Sequence, residues 1–202
     1  MTRGSDVVAA ETSLQSDARG ILLLTMNFYR DAELQGSRLL LNLHRHLRDP
    51  DSQTKLTRHL ADETRHAWLW TRRICDLGGA PTAVASGYQR RMGRRIGIPG
   101  DVTELLALTV VAERRALERY RAHASRPDVD GETMAVLDAV TRDENWHLEW
   151  VEAKLNELSS NKGGSRHVTE LLERYREIDR EVYAGLEADE SILAETLRRV
   201  SL

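Results

Sequence analysis

Leu22, Met26, Tyr29, Glu33, Gly36, Leu40, Leu43 and Leu47 follow one another at alternating steps of four and three. Each step returns to the same face of an α-helix, so this stretch is best read as a long helix packed along its length against others. The pattern recurs three times. It runs through Leu56, His59, Glu63, His66, Trp70 and Leu77, then through Val102, Leu106, Thr109, Glu113, Ala116 and Tyr120. It returns in Leu137, Val140, Glu144, His147, Val151, Leu155 and Leu158. A chain of 202 residues suits one domain. One phenylalanine and four prolines, against abundant Leu, Ala, Glu and Arg, favour helices over sheets. The fold class is therefore all-α.

The breaks between these segments set the connectivity. Ser16 is the N-cap expected for the first helix, and Arg48-Asp49-Pro50 stops it near Leu47. Gly78-Gly79 ends the second, and Ala80–Gly100 is a long connection with a short helix near Tyr88. Asp101 with Glu104 opens the third as a capping box, and Arg126-Pro127 closes it. Ser159–Ser165 is a hinge, beyond which Val168, Leu171, Leu172, Tyr175, Ile178, Val182 and Leu186 mark a fifth amphipathic helix that is free to bend at Gly185. Two short loops and one long one imply two antiparallel hairpins joined by a crossover. The chain divides into an N-terminal arm at 1–16, a bundle at 17–160, and a hinge with C-terminal helix at 161–202.

Four glutamates and two histidines occupy seam positions near the middle of these helices: Glu33, then Glu63 with His66, then Glu113, then Glu144 with His147. The two halves repeat, since Glu33 precedes Glu63 by 30 residues and Glu113 precedes Glu144 by 31. Glu and His three apart share a helix face. Buried together and unpaired, the carboxylates would repel and would cost several kcal/mol each in desolvation. Two divalent cations cancel the four negative charges, with the imidazoles binding neutral. Oxygen and nitrogen donors suit iron or manganese, and iron is favoured where the chemistry needs an ion that changes charge.

This double motif resembles the ligand set of the ferritin-like di-iron carboxylate superfamily, which includes bacterioferritin, rubrerythrin, ribonucleotide reductase small subunits and the methane monooxygenase hydroxylase. The resemblance covers about residues 17–160 and implies a ferritin-like four-helix bundle with one long crossover and an additional C-terminal helix. It implies that Glu63 and Glu144 bridge the metals, that Glu33 and His66 complete one ion, and that Glu113 and His147 complete the other. It further implies that Asp62 and Asp143 accept the far ring N–H of the opposite histidine, against the ordinary reading of solvated or capping carboxylates. Thr64 and Asn145 follow the motif glutamates, so the methionine that holds haem in bacterioferritin is absent and no haem is expected.

One turn from these residues lie Tyr29, Ser37, His59, Trp70, Thr109, Leu117, Val140 and Val151, with the small Gly36 and Ala116 three after the lone glutamates. The small residues either leave room for oxygen or a substrate or let helices approach. Tyr29 is either a donor of electrons or protons or a core tyrosine, and His59 either a polar group in the pocket or a satisfied core histidine. His44, His46, His123 and His167 lack partners at ligand spacing and are expected at the surface. Trp68, Trp146 and Trp150 are expected as packing. The arginines of QRRMGRRIG at 89–97 either dock an acidic electron donor or an anionic substrate, or face water.

The expected function is an oxidase or oxygenase using O2 on a small organic substrate, with an external electron donor. The alternatives are a ferroxidase or iron-storage protein, a rubrerythrin-like peroxidase and a manganese catalase. A net charge of −3 supplies no field for nucleic acid or anionic lipid. The single Cys75 excludes an intrachain disulfide and a CxxC metal ribbon. The N-terminal residues show no apolar signal run and no stretch has membrane length, so a cytoplasmic location is expected. The apolar stripe of the fifth helix must be covered by its own bundle or by a second copy, and a homodimer is the expected assembly.

Overall fold

The computed structural model describes residues 3–160 and 164–200, all helix and connections among those residues. The elements are α1 (Arg3–Leu43), α2 (Pro50–Asp76), α3 (Tyr88–Ile96), α4 (Val102–Ala124), α5 (Gly131–Ser159) and α6 (Gly164–Val200). No helix is long and apolar enough to cross a membrane.

Helix α1 begins at Arg3, so the expected arm is helical over its described part and Ser16 is not a cap. The residues before Ser16 contain no proline, so none of them forces the helix to stop there. Asp49 caps α2 by accepting the Ser52 N–H, with Pro50 at the first helical position. Gly78, at φ 69°, takes the left-handed conformation that ends α2, its N–H reaching the Cys75 carbonyl. Asp101 and Asp130 cap α4 and α5 in the same way as Asp49.

Helices α1 and α2 pack as one hairpin and α4 and α5 as the other, and the pairs α1–α4 and α2–α5 close the bundle. The crossover helix α3 lies against α1 and α6. Helix α6 continues through Gly185 and covers α3 and α4, burying Val168, Leu171, Tyr175, Val182 and Leu186. Of the expected hinge, residues 161–163 lie outside the described residues.

Two apolar cores form. One gathers Met26, Tyr29, Trp70, Ile74, Tyr120, Leu137 and Val140. The other gathers Leu40, Leu43, Leu56, Leu106, Trp150, Val151 and Leu155 with the buried face of α6. On each of the four bundle helices the seam glutamates and histidines fall between the residues of these two cores. They form a polar layer walled off on both sides by hydrocarbon.

Candidate metal centre

Glu33, Glu63, His66, Glu113, Glu144 and His147 converge in that layer, each no more than 6% exposed. His66 Nδ1 lies 3.4 Å from Glu33 Oε2 and 3.2 Å from Glu144 Oε1. His147 Nδ1 lies 2.9 Å from Glu144 Oε2 and 3.7 Å from Glu63 Oε1. Glu144 thus turns one oxygen to each histidine. Two overlapping groups, each with ligand atoms within 4.8 Å of one another, have metal-binding geometry: Glu33, Glu63, His66 and Glu144, and His59, Glu63, Glu113 and His147. Glu63 belongs to both. Glu144 Oε1 and His66 Nδ1 are buried with no aligned hydrogen-bond partner, as a pair of donors aimed at an ion would be.

Both histidines turn Nδ1 inward and Nε2 outward to an aspartate on the opposite hairpin. His66 Nε2 lies 3.2 Å from Asp143 and His147 Nε2 lies 3.4 Å from Asp62. An aspartate accepting Nε2–H leaves the Nδ1 lone pair facing the carboxylates. Arg65, between the two motif residues of α2, donates to both aspartates. Asp143 is held below its usual value because the bonds from His66 and Arg65 outweigh its partial burial.

Electrostatics without a cation are poor. Burial, and then the charges of Glu33, Glu113 and Glu144, push Glu63 well above the usual carboxyl range. Burial also raises Glu113, although His59 pulls against it. Glu144 moves down, because its bonds to both histidines outweigh burial and the charge of Glu33. His66 is raised despite burial, by its contacts with Glu144 and Glu33. The layer therefore takes up positive charge wherever it can, from protons if nothing else is present.

Of the residues expected around the site, Gly36, Thr109 and Ala116 line a cavity of about 20 Å³ beside Glu33, Glu63, Glu113 and Glu144. A Cβ on Gly36 would collide with Glu63 Oε2, so the missing side chain makes room for the carboxylate itself. Ser37 turns its hydroxyl to the Glu33 carbonyl. Tyr29, Trp70 and Val140 belong to the first core and Val151 to the second, and Leu117 is buried on α4, all outside the cavity wall. His123, expected at the surface, is 6% exposed, beside Tyr29 with ring centroids 5.8 Å apart.

His59 is fully buried inside the cluster, its Nε2 3.1 Å from Glu113 and its ring stacked on His147 at 3.6 Å. Its Nδ1 accepts the Trp150 indole N–H at 3.1 Å. Indole only donates, so a neutral His59 carries its proton on Nε2. Trp150, expected as packing, thereby sets a tautomer. Tyr120 was legible only as a seam residue, seven after Glu113. Its hydroxyl donates to Glu33, and burial followed by the Glu33 charge pushes that hydroxyl's pKa well up. Ala32, Leu39, Gln89 and Ala112 complete the cavity wall, and nothing in their spacing marks them.

No curated protein matches this chain. A family model described as a ferritin-like domain matches residues 29–161, the stretch from Tyr29 through the end of α5 that carries all six convergent side chains. The chain belongs to the ferritin-like domain family.

Proposed function

We propose that this protein is a non-haem di-iron oxidase or oxygenase that uses O2 to oxidise a small organic substrate. The observation that carries the reading is the cavity of about 20 Å³ against four buried carboxylates, room for one water-sized molecule beside them. In this reading Glu63 and Glu144 would help to hold both ions, Glu33 and His66 would complete the site of one, and Glu113 and His147 that of the other. Iron bound there would supply the electrons that reduce O2, and manganese fits the same donors. Asp62 and Asp143 hold the histidines in the tautomer that offers Nδ1. Tyr120 fixes Glu33 by donating to one of its oxygens. His59 keeps a proton on Nε2 beside Glu113 and so serves the carboxylates rather than an ion. The two apolar cores exclude water on either side. The reductant is an external electron donor.

Stepwise addition of Fe(II) in air, with oxidation followed optically, tests this. Oxidation should stop at about two irons per chain, as a di-iron site requires. Continued uptake of iron into a soluble mineral would overturn the reading in favour of storage.

A further inference from the structure

We infer that a groove outside the cavity binds a small organic acid, with Arg38 and Arg90 taking its carboxylate. As a statement about substrate, this rests on the O2-activating reading above. The groove lies between α1, α3 and α4 and encloses about 260 Å³. That is below the ~300–1,000 Å³ typical of drug-sized ligands, so its occupant is small. Leu39, Gln89 and Ala112 line both the groove and the carboxylate cavity, so an occupant lies one side chain from the metal layer.

Charge selects the occupant. The groove wall contains no aspartate or glutamate. Arg38 bonds Gln35 Oε1 at 3.3 Å and Arg90 bonds the Ala85 carbonyl at 3.2 Å. Among the described residues neither is within ion-pair distance of a carboxylate. Two of the other three arginines of the same cluster behave differently, since Arg91 pairs with Asp189 and Arg95 with Glu181, fastening α3 to α6. The arginine run therefore divides between fastening the crossover and supplying a free guanidinium to the groove. Two exposed guanidinium groups with no acidic partner, both lining the groove, suit a carboxylate.

Gln89 forms part of the wall between the groove and the carboxylate cavity. Its amide N–H2 donates to the Ala32 carbonyl at 3.1 Å, which orients the side chain and leaves Oε1 buried without a donor. Leu39, Ala112 and Met92 present apolar surface to the groove.

Calorimetric titration of metal-free and Zn(II)-loaded protein tests the inference, using butanoate to octanoate and their methyl esters. The best acid should bind at least about tenfold more tightly than its ester in both forms, as a hydrogen-bonded charge pair allows. That preference should disappear in Arg38→Gln/Arg90→Gln. Equal binding of acids and esters, no binding, or a preference that survives the double arginine variant would overturn the proposal. A preference confined to Zn(II)-loaded protein would also overturn it, because direct coordination would explain that. Metal content, measured separately, distinguishes the two readings. A chain that holds no metal yet prefers acids refutes the di-iron centre and keeps the groove.

Discussion

At Gly36 two local rules pull in opposite directions. A glycine inside a helix is destabilising by roughly 0.5–1 kcal/mol relative to alanine, and α1 bears that cost in mid-helix. The place a methyl group would take is filled by Glu63 Oε2. Gly36→Ala should therefore leave metal-free thermal stability unchanged or slightly raised while displacing the shared carboxylate. Metal affinity should fall about 10- to 100-fold, the range seen when supports of metal ligands are altered. Competition titration against a metal chelator measures it, and wild-type affinity in the variant would show that Glu63 does not hold metal in this position.

Asp130 joins two elements with one carboxylate. It caps α5 by accepting the Glu132 and Thr133 N–H groups, and it receives Arg73 from the end of α2 at 2.8 Å. Arg73 is almost fully buried, and its remaining nitrogens reach Thr133 and Glu132. Asp130→Ala removes a helix cap and one arm of that link, so stability should fall by about 1–2 kcal/mol. Urea unfolding checks the figure. Metal stoichiometry should not change, since Asp130 lies at the far end of α5 from Glu144 and His147. The apolar stripe of α6 is likewise accounted for within the chain, covering α3 and α4. That coverage removes the motive for expecting a second copy over the stripe.

For the molecule as a whole, the unmetallated layer makes stability depend on pH. Glu63 and Glu113 have raised values in the fold against an ordinary 4.5, and His66 rises from 6.5 to about 12. A raised group holds its proton in the folded state after the unfolded chain has released it. Its stabilising contribution is therefore complete below the unfolded value and is lost as pH rises toward the folded one. Glu144, which is lowered, acts oppositely and loses its contribution only in acid. The metal-free melting temperature should fall from about pH 5 to 9, and metal-loaded protein should show a flatter profile because cations replace the protons. Thermal scans across that window decide it, and a metal-free profile that rises with pH would contradict the sign.

Periodicity is a property of the chain alone, and so is the cost of placing charge on an apolar seam. For that reason the four bundle helices, the crossover helix near Tyr88 and the convergence of Glu33, Glu63, His66, Glu113, Glu144 and His147 were legible from residue order. The start of α1 was not, because residues before Ser16 mix helix formers with Gly, Ser, Thr and Val and contain no proline to fix a boundary. What side chains meet across helices depends on how the helices rotate and settle against one another, and spacing along one chain segment does not encode that. Packing alone brings Tyr120 to Glu33, aims Trp150 at His59 and buries His123 beside Tyr29. It also stretches Arg65 between Asp62 and Asp143. Only the seating of α3 against α1 and α6 makes Gln89 a shared wall between the carboxylate cavity and the groove.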